Sequence, residues 1–376
     1  MKKFLTQILL FSSVFFLFDK LFYAFLLVSP SMEKDKRLEL VLNGKMNKDI
    51  VVLGSSRGAR NIIASQIGDS LNVSSYNLSY PGSNIEFHEF LLRSLITHNK
   101  KPKLVLLALD DPYELLPNES ITFRLDRLYP LAKYKYINDE MIKRGEKNFL
   151  SKFFILSRIN KKNFDIRRKS FTTLDTLMHC GSMPISFQRK NRQFTFQNDV
   201  QKYEKESELP EKIRAFDRLQ DLCLHNNIKL YLVYSPNFKN HNSRFETRIQ
   251  KLSHPAVSYI RYDTKNSIYL NKDYFYDQSH LKKNGAIIFT DEIIKHLKGE
   301  VRLPKTLLDK ELRKSGRPIV TRNMLRGTLG CMNRTVFQDL RTYNSDTGFG
   351  LLDYFLAEDQ TFLPEKFFYV SSFPFH

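Results

Sequence analysis

The stretch DIVVLGSSRGARN, residues 49–61, decides the fold. Its first half is a short apolar run that stops at Gly54, the pattern of a strand buried on both faces. Its second half opens on two serines, Ser55 and Ser56, and then reads as a helix over about residues 57–67. Strand, glycine corner and helix in that order form the first arm of a βαβ unit. Two hydroxyls at such a corner have two readings. One is helix capping, in which a serine oxygen accepts a hydrogen bond from an unpaired backbone N–H. The other is a nucleophile. The stretch alone leaves both open.

Further along the chain the same alternation continues. VSSYNLSY offers a second strand, and NIEFHEFLLRSLITH places Ile85, Phe87, Phe90, Leu91 and Leu95 near helical spacing. KLVLLAL, residues 103–109, is another buried strand. EKIRAFDRLQDLCLHNNIKLYLVYSPN reads as a helix and then a strand ending near Ser235, VSYIRYD as a fifth strand, and GAIIFTDEIIKHL as a closing helix. Strands alternating with helices predict an α/β domain over residues 49–299. Its architecture is a doubly wound, flavodoxin-like parallel sheet of about five strands with helices on both faces. Chemistry on such sheets sits at the carboxyl ends of the strands, where the Gly54-Ser55-Ser56 corner lies.

The alternation is interrupted over about residues 113–208, which predicts a helical insertion. Within it, residues 143–169 carry ten basic side chains against two acidic ones, interleaved with Phe149, Phe153, Phe154, Ile155 and Phe164. One reading is a solvated insertion with a few core-facing aromatics. The other is a basic, aromatic-bearing surface for an anionic partner. Residues 300–376 have turn residues, weak periodicity and an aromatic end, and form a tail to which no fold is assigned.

The chain of 376 residues has an ordinary apolar fraction of 42% but a net charge of +19. That charge favours anionic partners such as lipid headgroups, acidic polymers or nucleic acid. The N-terminus narrows the choice. Lys2 and Lys3 precede FLTQILLFSSVFFLF, then Asp19-Lys20, then LFYAFLLVS. Joined, the two apolar runs exceed a bilayer width, and no A-x-A cleavage site follows. Residues 1–30 are expected to be an uncleaved signal anchor with the two lysines on the cytoplasmic side. A cleaved signal peptide and a buried soluble helix are the alternatives. Either export reading carries the domain across the membrane, where lipid or acidic glycan is the fitting partner and nucleic acid is not. Residues 31–48, charged and mixed, read as a stalk. Cys180, Cys223 and Cys331 show no C-x-x-C spacing, and the nine histidines no H-E-x-x-H, so no metal site is expected.

DYFYDQSHLKKNGAIIF, residues 273–289, supplies the partner for the first corner. Asp277 stands three residues before His280 on a loop that leads into a helix. A carboxylate so placed can turn back to accept a hydrogen bond from the ring Nδ1–H. That sets the tautomer and leaves Nε2 as a base for a distant hydroxyl. Taken singly, each segment also fits a plain structural role: Asp277 or Ser279 as a cap of the closing helix, and His280 as a surface histidine. A phosphate at the helix N-terminus after Gly54 is a third reading. No P-loop lysine pattern supports it, and it leaves Asp277 and His280 unexplained.

With both blocks in this order, the sequence resembles the SGNH/GDSL hydrolase superfamily, over about residues 49–297 apart from the insertion. The Gly-Ser-Ser-Arg corner is similar to that of its membrane-anchored subset, related to D-alanyl transfer and alginate O-acetylation in the cell envelope. The resemblance implies Ser56 as nucleophile, His280 as base and Asp277 as its orienting carboxylate, with Ser55 in place of the usual Asp. It implies an oxyanion hole from the backbone N–H groups of Ser56 and Gly82. The family's third block normally adds an asparagine, where this chain has Asp110-Asp111. A carboxylate donates only when protonated, and losing one such donor typically costs about 2.7–4 kcal/mol of transition-state stabilisation. Asn84 is the candidate replacement. Arg57 and Arg60 are candidates for holding an anionic substrate, or else solvent-exposed helix arginines.

The activity implied is that of an extracytoplasmic serine esterase or O-acyltransferase on acylated envelope glycans or related polymers, without a cofactor, and with a membrane acyl-donor protein as a further partner. The other class of reading is a non-catalytic, membrane-anchored scaffold on the same fold. Labelling of Ser56 by a serine-reactive phosphonate discriminates between them, and the distance from Ser56 Oγ to His280 Nε2 is the structural observation that bears most on the catalytic reading.

Overall fold

The computed structural model describes residues 1–28, 33, 35–159, 176–187, 193–199 and 203–298. The expected tail, residues 300–376, lies outside the described residues, as do Phe164 and Cys331. Helix α1 (Lys2–Val28) is long and apolar enough to cross a membrane, a test that a signal sequence also passes. Next come α2 (Arg37–Leu42), β1 (Ile50–Gly54), α3 (Ser56–Asn61), α4 (Ala64–Leu71), β2 (Ser75–Asn77), α5 (Ile85–His98) and β3 (Leu104–Leu109). The insertion carries α6 (Leu125–Leu128) and α7 (Lys135–Lys143). The chain then returns through α8 (Pro210–His225), β4 (Lys229–Tyr234), α9 (Ser243–Leu252), β5 (Ser258–Arg261) and α10 (Lys283–Leu297).

The five strands form one wholly parallel sheet in the order β2-β1-β3-β4-β5, the doubly wound arrangement expected from the sequence. The central strands are apolar throughout because both of their faces are covered. Val51, Leu53, Val105, Leu107, Leu230 and Leu232 join a core with residues of α2, α5, α8 and α9. Ile50, Val52, Leu104, Leu106 and Val233 alternate with them in sequence, point to the other face and are equally buried. On that other side α3 and α4 pack against α10. The winding reverses between β1 and β3, so the switch point at which sheets of this kind bind ligands lies at the carboxyl ends of these two strands.

Three local structures differ from the sequence reading. The expected helix over residues 57–67 is two helices, α3 and α4, separated by Ile62 and Ile63 in extended conformation. The buried amide of Asn77 accounts for the break, since its Nδ2 donates to the Gly58 and Ile62 carbonyls at 2.8 and 2.9 Å. Residues 31–48 are not simply a stalk. Leu38, Val41 and Leu42 fall on one face of α2, which packs against α5. Helix α9 carries no strong apolar run, yet it provides the crossover that parallel β4 and β5 require.

Gly54 closes β1 with φ +147°, and a Cβ there would lie 2.9 Å from the Ala108 carbonyl oxygen on the neighbouring strand. Backbone strain of this kind costs on the order of 1–3 kcal/mol. Gly54→Ala is therefore expected to lower the stability of the detergent-solubilised chain by about that amount, read from the midpoint of denaturant unfolding.

Candidate active site

The two serines at the β1 corner have different partners. Ser55 is the N-cap of α3, and its Oγ accepts from the Arg57 N–H at 3.4 Å. The same hydroxyl donates to Asp110 Oδ1 at 2.6 Å, which ties the end of β1 to the end of β3. Ser56 is the first residue of α3, so its own N–H lies outside the intrahelical ladder. Its Oγ lies 2.7 Å from His280 Nε2.

His280 sits on a narrow, well-bonded loop. Phe275 and Leu281, both fully buried, pair as an antiparallel bridge, and the Tyr276 N–H donates to the His280 carbonyl at 2.8 Å. Asp277 turns back inside this loop. Its Oδ1 accepts from the N–H groups of Ser279 and His280 at 2.8 and 3.0 Å. Its two oxygens lie 2.9 and 3.0 Å from His280 Nδ1. With Nδ1–H donating to this carboxylate, Nε2 is left to accept the Ser56 proton.

Asn61 brings the two segments together, and the sequence reading did not find it. This fully buried residue ends α3. Its Oδ1 accepts from the Leu281 N–H at 2.9 Å. Its Nδ2 donates to Ser235 Oγ at 2.7 Å, at the end of β4, and to the Ser279 carbonyl at 3.3 Å. One side chain thus bonds the helix that begins at Ser56, the next strand end and the histidine loop. Nothing in a single sequence distinguishes this asparagine from an ordinary helix C-terminus.

Burial holds the His280 pKa below its ordinary value near 6.5. The Asp277 carboxylate opposes this, and the Arg60 and Arg57 charges reinforce it. The imidazole is therefore neutral at neutral pH, the state a general base needs. Arg57 is not the exposed helix arginine of one sequence reading. It is buried, donates from Nη2 to the Asp111 carbonyl at 2.8 Å and has Nε 3.7 Å from Asp110 Oδ1. These bonds make it a brace between α3 and the end of β3. Arg60 is partly exposed and close enough to act on His280.

The remaining expected site residues are less directly placed. Gly82, with φ +76°, lies in a turn held against the corner, where the Tyr80 N–H and the Ser83 hydroxyl reach the Gly54 carbonyl at 3.0 and 3.2 Å. Asn84 is the N-cap of α5. Its Oδ1 accepts from the Phe87 N–H at 3.1 Å and its Nδ2 donates to Glu86 at 3.2 Å. These bonds give Asn84 a local structural role that the sequence reading had not assigned.

Asp110 and Asp111 are also held in structural bonds. Asp110 accepts from Ser55, and burial raises its pKa against the pull of Arg57 and the Ser55 hydrogen bond. Asp111 accepts from Asn242 at 3.0 Å and pairs with Lys239 at 3.2 Å. Below them, burial and the neighbouring Asp110 push Glu114 up to about 8, and burial pushes His88 down to about 3.

Among the described residues no group of three or more His, Cys, Asp or Glu side chains is arranged to hold a metal ion, and Cys180 and Cys223 are buried free thiols. Compared with known proteins, the chain matches no protein-family model and no curated protein sequence.

Removing the Asn61 amide leaves the buried Leu281 N–H without its acceptor. Asn61→Ala is expected to destabilise the chain by about 1–3 kcal/mol, measured by denaturant unfolding. It is also expected to slow labelling of Ser56 by a serine-reactive phosphonate more than tenfold at temperatures where the variant remains folded.

Proposed function

We propose that the chain is a membrane-anchored, extracytoplasmic serine esterase or O-acyltransferase of the SGNH/GDSL type, acting on an acylated envelope glycan or related polymer. One observation carries the reading: Asp277, His280 and Ser56 run in line, with 2.9 Å and 2.7 Å between successive partners. A histidine that only capped a helix or faced solvent would need neither contact.

In this reading Ser56 Oγ attacks the ester carbonyl carbon as its proton passes to His280 Nε2. Asp277 stabilises the imidazolium that forms. The N–H groups of Ser56 and Gly82 stabilise the negative charge on the former carbonyl oxygen. The C–O bond to the leaving alcohol then breaks, that alcohol takes the proton from His280, and the acyl group remains on Ser56. Water or a sugar hydroxyl gives its proton to His280 as it attacks the acyl carbon, the bond to Ser56 Oγ breaks, and Ser56 takes the proton back from His280. Water as acceptor makes the protein an esterase, and a sugar hydroxyl makes it a transferase fed by a membrane acyl donor. Helix α1 is the anchor, with Lys2 and Lys3 on the cytoplasmic side. The net charge of +19 suits an anionic envelope surface.

A second reading, a non-catalytic scaffold, draws on Asp110. It occupies the place of the expected amide donor and accepts from Ser55 instead. Serine reactivity separates the two. The catalytic reading expects stoichiometric phosphonate labelling at Ser56 and release of a chromogenic acyl group that Ser56→Ala abolishes. Equal release by wild type and variant would rule it out.

The pH profile adds a further check. His280 must be neutral to accept the proton, so activity falls as pH drops through its pKa. The acid limb is expected to have its midpoint below 6.5, because burial and the two arginines lower that pKa. Arg60→Gln removes one depressing charge and is expected to move the midpoint upward.

A further inference from the structure

Helix α1 is bare along nearly all of its length, and Asp19 is its single buried residue. What buries it is the insertion. Asp19 Oδ1 accepts from the Leu156 N–H at 2.9 Å, and its Oδ2 pairs with Lys20 Nζ at 3.0 Å. Lys20 Nζ also donates to the Phe153 carbonyl at 2.6 Å, and the rings of Phe15 and Phe154 lie 5.7 Å apart. Further along α1, Lys133 Nζ donates to the Leu26 carbonyl at 3.2 Å. Residues 149–158 are therefore bonded to the side of the helix rather than to its end.

A hydrocarbon core roughly 30 Å thick takes about 20 helical residues. Counted from Lys3, it ends near residue 23, about one helical turn beyond Asp19. Insertion residues that bond Asp19 and Lys20 must then reach the membrane boundary themselves. The same short segment presents Phe149, Leu150 and Phe153 to its surroundings at 59%, 56% and 55% exposure. The two phenyl rings lie 5.3 Å apart, and Lys152 Nζ sits 5.1 Å over the Phe149 ring. Large exposed apolar side chains beside a basic one suit the junction of acyl chains and anionic headgroups. The segment that carries this patch also packs on α1, through Phe154 against Phe15 and Phe153 against Lys20, so a membrane around that part of the helix lies beside the patch.

We propose that residues 149–158 form a lipid-inserted platform with the last third of α1, in which Phe149, Leu150 and Phe153 enter the leaflet nearest the domain. The platform fixes the height and tilt of the domain over the membrane and keeps α1 as a working part of the fold. The inference rests on the anchor part of the proposed function and not on its chemistry.

The test uses the full chain in vesicles of phosphatidylcholine and phosphatidylglycerol. Cys331→Ser leaves Cys180 and Cys223, both buried, and an environment-sensitive nitrobenzoxadiazole label is attached at Leu150→Cys. A control label sits at Lys251→Cys, exposed on α9 beside edge strand β5. Lipids brominated along the acyl chain are expected to quench the Leu150 label by half or more and leave the Lys251 label unchanged. Intact mass reports whether α1 is retained. Retained α1 with equal, weak quenching at both positions overturns the platform alone and leaves the patch to a protein partner. Loss of α1 from the mature chain overturns the anchor and the platform together. Neither result bears on Ser56, whose phosphonate labelling is a separate measurement.

Discussion

The amide of Asn61 couples two segments that lie 220 residues apart. It completes α3, the helix that begins at Ser56, and it holds the loop that carries Asp277 and His280. Both of its polar ends are used in a fully buried setting, where an unmet partner is costly. The placement of Ser56 Oγ against His280 Nε2 depends on this bond, because it ties the helix that carries one to the loop that carries the other. The loop adds its own rigidity through the Phe275–Leu281 bridge and the turned-in Asp277 carboxylate.

Around this coupling, the carboxyl ends of the central strands are joined by side chains. Ser55 bonds Asp110, Arg57 bonds the Asp111 carbonyl, and Asp111 bonds Asn242 and Lys239. A parallel sheet ends in a row of loops, and buried charges placed there need partners to offset their lost hydration. Here the partners come from neighbouring strand ends, so the same bonds that neutralise the charges also bring the loops into register. Asp110 thereby serves the frame, as the acceptor of the Ser55 hydroxyl.

The insertion and α1 follow the same logic at the other boundary of the domain. A carboxylate in an apolar helix is costly in a membrane unless it is paired and hydrogen-bonded. Asp19 obtains Lys20 and a backbone N–H of the insertion. Helix α1 and the domain are consequently bonded through side chains and backbone, and a free linker alone does not describe their connection.

Much of the fold was legible in the sequence because burial on both faces of a parallel sheet leaves a direct mark. Apolar runs such as IVVLG and LVLLAL have no other economical reading between helices of 3.6 periodicity. The pairing of Asp277 with His280 was also legible, since three residues of spacing suffice for a carboxylate to turn back. Other features left no such mark. The break between α3 and α4 depends on Asn77 from another strand, and the burial of α2 depends on α5, which is distant in sequence. The separate duties of Ser55 and Ser56 became distinguishable only when β3 supplied Asp110 on one side and the late loop supplied His280 on the other. The sequence by itself determined periodicity, and through it the layers and the strand ends where polar side chains gather. Which of those side chains face one another was decided by tertiary structure alone, because hydrogen bonds form by distance in space and residues 56, 61, 110 and 280 are neighbours only after the sheet has closed.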